Sequence, residues 1–424
     1  DAYTVRFTLP VKFAPFLRGM SQPILPKHKL SQAVAEGKFP FTWGINTPVH
    51  EIVGTGPFYL DQYRPGEQLI FKRNPHYWKK DAEGNALPYL DRLAFLIIAD
   101  SDARLLKFID KELDYIALRG NDYPLLKPIE SKNNFRIYDV GPDDGSNFIV
   151  FNQNTRVNPA THKPFVDPVK SAWFTNVNFR RAMAHAIDKQ RMIEIINSGF
   201  GYPQHGPMSP SSGFFYNAQV PMYEYDLDKA RALLMQEGFI DRDHNGIIED
   251  KNGHELEFNL YIPSGSPQRD QMAGMIHGDL AKLGIKANVK SLEFNTLVSK
   301  LMASYDWESI ILGLTGGVEP HFGKNVWSSS GQLHLWNPKQ EKPATAWEGR
   351  LDAIFNAGVQ ELDEDKRKIL YDEYQTIAAD QLPVIYTILG ANIFAVRQKF
   401  GNLKPSAHGG AFHNLEEIYI LKEK

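Results

Sequence analysis

The stretch 267–290 constrains the fold of this chain more than any other. Pro267 can open a helix at its first turn. Met272, Ile276, Leu280 and Leu283 then recur on one face, Gly284 closes the helix, and Ile285–Lys290 reads at once as a strand. A helix that passes through Leu-Gly-Ile straight into a strand is an α/β unit. The helical pattern 295–303 followed by the apolar run Ser309–Leu314 repeats the arrangement. Further helices are expected over Asn178–Ile187, after Asp188 as N-cap to Gly199, after Asp226 as N-cap to Gly238, and as a pair near 346–360 and 364–380. Strands are expected at Leu69–Lys72, Leu93–Ala99, Asn147–Phe151, Leu256–Tyr261, Val384–Ile388 and Ile393–Val396. The fold class is therefore mixed α/β.

Composition narrows the function. The chain has 424 residues, 42% of them apolar, enough for two or three domains with packed cores. The formal net charge of −3 is spread along the chain, with no basic run to grip a nucleic acid. Cysteine is absent, which removes disulfides, thiolate zinc sites and cysteine nucleophiles. No apolar run reaches transmembrane length, and no export signal is visible. The alternation Tyr3, Val5, Phe7, Leu9 reads as a strand beginning almost at residue 1. The expectation is that preceding sequence, with any export signal, is missing.

Several stretches together resemble the peptide-type (family 5) extracellular solute-binding proteins of bacterial ABC importers. They are Val53-Gly54-Thr55-Gly56-Pro57-Phe58-Tyr59-Leu60 with Arg73-Asn74-Pro75-His76-Tyr77-Trp78, then Leu90-Asp91-Arg92-Leu93 and Phe108–Tyr115. Phe151-Asn152, Asn178–Ala182, Ala186–Lys189, Ala230–Phe239, Leu283-Gly284-Ile285 and Leu382–Tyr386 follow in the family's order. The resemblance spans nearly the whole chain. It implies a two-lobed periplasmic-binding-protein-like fold of the class II type, hinged at two crossover segments near 139–147 and 383–392. Lobe I would be 1–142 plus 391–424, lacking the family's first segment and inserted subdomain, and lobe II would be 143–390. Gly141, Pro142, Gly145 and Gly390 suit the hinges. The resemblance further implies a monomer that is not an enzyme. It would lie in the periplasm or be tethered to the outer face of the cytoplasmic membrane, and deliver a small solute to permease subunits.

A binding wall needs apolar panels and a few orienting polar groups. The resemblance places the strand-end loop Leu314-Thr315-Gly316-Gly317 with Glu319 at such a wall. Gly316 and Gly317 would permit positive φ or close backbone approach to a ligand, and the plain alternative is a glycine turn. Trp327 and Trp336, among Ser, Gln and Asn, would offer stacking faces, or else pin a long loop to the domain. Phe294, Asn147 and Phe148 complete the set. Peptide binders of the family usually carry Trp near Leu314 and, near Gly317, an Asp that receives the ligand's ammonium. Glu319 is the nearest carboxylate left. This departure places oligosaccharides or opine-like conjugates slightly ahead of peptides held by a free amino terminus, within an overall oligopeptide-class reading.

Asp241, Asp243, Asn245, Gly246 and Glu249 follow the first half of a calcium loop, although position 12 is Asn252. A structural calcium ion or an Asp/Asn-rich turn both suit it, and no other cofactor is expected. There is no His-Glu-x-x-His, Gly-x-Ser-x-Gly or P-loop. A glycoside hydrolase acting through Asp306 and Glu319 is the remote alternative.

Overall fold

The strand Ser146–Phe151 points Phe148 and Val150 to one side and Ile149 and Phe151 to the other, and all four are buried. A strand apolar on both faces belongs in the middle of a sheet covered twice. In the computed structural model, which describes residues 1, 4–21, 23–44, 46–159 and 161–422, it is second in a five-stranded sheet. The order is Val384–Tyr386, Ser146–Phe151, Ser309–Leu314, Glu257–Pro263, Lys286–Leu292. The last three run parallel, and Ser146–Phe151 is antiparallel to both its neighbours. Ile149, Phe151, Phe258, Leu260 and Ile311 share one core with the helices Val177–His185 and Pro267–Ala281. Phe148, Val150, Ile310 and Leu312 share the other with the helices Ala346–Gly358 and Glu364–Gln381.

Local chemistry sets the helix ends. Asp188 and Asp226 each accept a backbone N–H three residues on, from Arg191 (2.9 Å) and Lys229 (2.8 Å). Pro267 occupies the first turn of Pro267–Ala281. Gly284 takes φ +76° to turn the chain into Lys286–Leu292, a conformation that an L side chain resists.

The chain divides into two compact units. One comprises residues 1–20 and 142–391, the other 21–141 and 392–424. The second unit holds a three-stranded antiparallel sheet, Phe58–Arg64, Gln68–Arg73 and Arg92–Leu96. It also holds the strand Tyr115–Ala117, paired with residues 394–396. There the Arg397 guanidinium lies 4.2 Å from the Phe108 ring and donates to the Phe108, Leu113 and Asn133 carbonyls.

Two expectations for the start of the chain do not hold. Residues 1–20 group with 142–391 rather than with 21–141, because the Ala14 N–H donates to the Val359 carbonyl (2.7 Å) and Phe13 meets the His321 ring edge-on at 5.7 Å. Residues 4–9 form no strand, and Tyr3 lies outside the described residues. Among the described residues the alternation finds no neighbouring strand to bond, and Val5 and Phe7 are 76% and 51% exposed.

Candidate functional site

The strand Ser309–Leu314 carries its apolar run to the edge of the sheet, where Thr315, Gly316 and Gly317 turn the chain away. Beside that turn is a concavity of about 350 Å³. Leu314, Thr315, Gly316, Gly317 and Glu319 line one side, with Asp144–Ser146 adjoining. Phe148, Val384 and Tyr386 come from the two neighbouring strands, and Trp327 and Tyr374 close the back. Every lining residue belongs to the 142–391 unit.

Gly316 and Gly317 do not use positive φ. What Gly316 supplies is room. A Cβ there would lie 1.5 Å from the Asp144 carbonyl oxygen. The close approach is thus between two segments of this chain, the strand-end turn and the 143–145 segment. Gly317 has open space where a Cβ would be, and its carbonyl accepts from Ser212 Oγ (3.0 Å).

Glu319 lines the concavity but is only 4% exposed and is already engaged. Its Oε2 accepts from Arg367 Nη2, and its Oε1 from the His321 N–H (3.3 Å). Arg367 is itself buried, with its guanidinium 5.0 Å from the Phe215 ring. A buried carboxylate so paired is neutralised in place.

The two tryptophans part company. Trp327 reaches the concavity while packing on Tyr374 (5.1 Å) and Trp336 (5.3 Å). Trp336 is 1% exposed and does not line it. Its indole N–H donates to Glu348 Oε1 (3.1 Å), which also faces His334 Nε2 at 3.4 Å. Trp336 therefore pins its loop to the helix Ala346–Gly358, the structural role weighed for it above. Burial alone would raise the Glu348 carboxyl, but hydrogen bonds from His334, Trp336 and Thr345 outweigh it and hold the group down at about 2. Phe294 opens the short helix Phe294–Ser299, is 52% exposed and does not line the concavity. Asn147 lies on the opposite face of its strand from Phe148, and its carbonyl accepts from the Thr387 N–H and Oγ1 (both 2.9 Å). Val384, Tyr386, Met208 and Ser146 were not foreseen as lining. Only the pairing of Val384–Tyr386 with Ser146–Phe151 brings the first two there, and that register leaves no trace in local sequence.

Carboxylate oxygens of Asp241, Asp243 and Glu249 lie within 4.8 Å of one another. Hard oxygen donors of this kind suit calcium. Asn245 is turned to other tasks. Its Oδ1 accepts from the Ile247 N–H (2.8 Å), and its amide donates to Asp243 (3.0 Å) and Glu255 (2.9 Å). Glu249 also accepts from the Arg242 N–H (2.9 Å).

Comparison with known proteins places this geometry in context. A probable ABC transporter-binding protein of Deinococcus radiodurans is 31% identical over 415 residues, which cover 91% of this chain and 67% of that protein. The oligopeptide-binding protein AppA of Bacillus subtilis is 25% identical over 99% of this chain and 70% of its own length. Its structure in complex with a nonapeptide superposes with a TM-score of 0.71 at 22% identity, covering 98% of this chain and 76% of that one. The periplasmic alpha-galactoside-binding protein of Rhizobium meliloti is 24% identical over the whole of this chain, which spans 63% of that protein. No described helix is long and apolar enough to cross a membrane. Residues 1–332 match the profile described as bacterial extracellular solute-binding proteins, family 5 middle, and the chain belongs to that family.

Proposed function

We propose that this chain is the solute-capturing subunit of an ABC importer, taking an oligopeptide-class solute outside the cytoplasmic membrane and handing it to permease subunits. It would act as a monomer, in the periplasm or tethered to the membrane's outer face. The observation that carries the reading is the 350 Å³ concavity at the end of Ser309–Leu314, with Phe148, Trp327 and Tyr386 as apolar walls and Thr315–Gly317 as a polar edge. The oligopeptide-binding relative supports the ligand class. Capture without chemistry is the reading we favour over the hydrolase alternative; Glu319 is paired with Arg367, and the exposed Asp306 with Lys300 at 2.9 Å. Closure about Gly141–Gly145 and Gly390 is the motion that would enclose a ligand.

Because Glu319 is neutralised by Arg367, the wall of this unit does not receive a ligand's ammonium through that carboxylate. Calorimetry with di- to pentapeptides and their N-acetylated forms tests the point. Acetylation is expected to change affinity by less than about threefold, since no buried charge pair is lost. Loss of binding on acetylation would refute it. A second reading, a saccharide or opine-like conjugate, is favoured by the Trp327 ring beside a neutral polar edge and by the alpha-galactoside-binding relative. A thermal-shift screen of peptides, oligosaccharides and opine-like compounds separates the two, because a ligand that binds only the folded state raises the midpoint. No shift with any class, together with turnover of one of them, would overturn the function.

A further inference from the structure

Lys189 opens the helix Lys189–Asn197 and is only 7% exposed. A cation at a helix N-terminus and out of water is disfavoured on both counts. Its Nζ donates to the Gln204 carbonyl (2.7 Å) and lies 3.3 Å from His205 Nδ1. The second contact is a hydrogen bond only while Nδ1 keeps its lone pair, which puts the ring's proton on Nε2. A second proton on the ring would set two like charges against each other. Burial lowers the basicity of both groups, and the Lys189 charge lowers His205 further, to about 4. Of the charged groups around the pair, Glu224 supports the Lys189 charge, and its carbonyl lies 2.7 Å from His185 Nδ1. His185 is made less basic by burial and feels the charges of Lys189, Asp226 and Lys229. Asp188 is engaged by the Arg191 N–H.

The segment held by this pair is laced to the strand through which the chain leaves its unit. Gly201–Pro203 runs antiparallel to the first residues of the strand Ile388–Arg397. The Gln204 N–H donates to the Thr387 carbonyl, and the Ala391 N–H to the Phe200 carbonyl, both at 3.0 Å. A Cβ on Gly201 would lie 2.9 Å from the Leu389 carbonyl oxygen, so the two backbones touch directly. On the other crossing, the Asp143 N–H donates to the Gly390 carbonyl (2.8 Å). The unit ends at Ala391. Gln204 is thus bonded on both sides, its carbonyl by Lys189 and its N–H to the exit strand.

We propose that Lys189 and His205 form an acid-sensitive tie, which holds residues 200–206 against 387–391 while the imidazole is neutral and loosens them when it gains a proton. The folded state takes up that proton less readily than the unfolded chain, where the ring titrates near 6.5. The tie is therefore complete above about pH 6.5 and is lost as pH falls toward about 4. Proteins of an extracellular family meet the pH of the medium directly, and the released strand carries Gly390, a hinge residue of the closure proposed above. The release does not depend on the solute-capture reading; only its bearing on closure does.

Hydrogen exchange with mass spectrometry, on the full chain at pH 7 and pH 4 and corrected for intrinsic rates, tests the tie. Amides of 200–206 and 387–391 should lose at least about tenfold in protection at the lower pH, while those of Glu364–Gln381 keep theirs. His205→Gln keeps an acceptor for Lys189 but takes no proton, so its loss in the same segments should stay within about twofold. Equal losses in wild type and His205→Gln would overturn the proposal. So would an equal loss in Glu364–Gln381, which would show acid unfolding of the whole unit. A second measurement reads the contact itself. The His205 ring signal, identified by its absence from His205→Gln, should titrate well below 6.5 in NMR spectra of the wild type and move upward in Lys189→Met. A ring that titrates at its ordinary 6.5 with Lys189 in place would refute the tie.

Discussion

Gly316→Ala is the substitution for which the geometry makes the sharpest demand. The added Cβ would lie 1.5 Å from the Asp144 carbonyl oxygen and 2.6 Å from its carbon, where real Cβ atoms keep at least 3.0 Å away. The obstacle is backbone, so no side chain can rotate to relieve it. The strand-end turn and the 143–145 segment must part by roughly 1.5 Å or more to restore ordinary contact distances. That displacement pulls on the Ser212–Gly317 hydrogen bond and on the pairing of Leu314 with Ser146. Overpacking of this kind costs about 1–3 kcal/mol where neighbours can yield, and a backbone obstacle puts Gly316→Ala at or above the upper end. Urea denaturation should show a lower midpoint with an unchanged slope, and ligand affinity should fall as the wall of the concavity is displaced. Gly317→Ala is the control. A Cβ there meets nothing within 4 Å, and the change should stay within about 0.5 kcal/mol. Equal stability of the two variants would refute the claim that the glycine at 316 serves a backbone crossing.

Three further outcomes are expected. Arg367→Met leaves the buried Glu319 carboxylate with only the half-exposed Arg18 guanidinium, at 3.9 Å, and should cost up to about 3–5 kcal/mol by urea denaturation, whereas Glu319→Gln combined with Arg367→Met should recover much of that loss. Glu348 is held at about 2 in the folded state against an ordinary 4.5, so its contribution is complete above about pH 4.5 and is lost as pH falls toward 2. The amount is on the order of 3 kcal/mol, and Glu348→Gln should flatten that acid limb in denaturation curves between pH 2.5 and 6. Millimolar calcium should raise the melting midpoint by mass action, and Asp241→Asn with Asp243→Asn should abolish the rise. A wild-type midpoint that calcium does not move would count against an ion at this loop.

What could be read before the structure was what short-range chemistry decides. Ser309–Leu314 is a strand with the bounds its apolar run suggests, and Asp188, Asp226 and Pro267 begin helices where capping rules put them. Long-range partners decide the remainder. Glu319 looked like an open carboxylate because Arg367, 48 residues later, is invisible to local patterning. Gly316 looked like a glycine chosen for its dihedral freedom, yet it answers to the Asp144 carbonyl in a distant segment. Trp336 resembled a stacking platform until its indole N–H found Glu348. Residues 4–9 alternate as a strand does but have no strand to bond.

The two-sided burial of Ser146–Phe151 bears on how such a protein can change over generations. Its odd and even positions serve different cores, and its register with Ser309–Leu314 carries Ser146 to the rim of the concavity. Inserting or deleting one residue within the strand would exchange the inventories of both cores at once and withdraw the rim from its place. Ligand preference in this lineage can therefore drift by exchange of side chains at strand ends and in the turns beyond them, while the strand's length is held fixed by two interiors that would have to be rebuilt together.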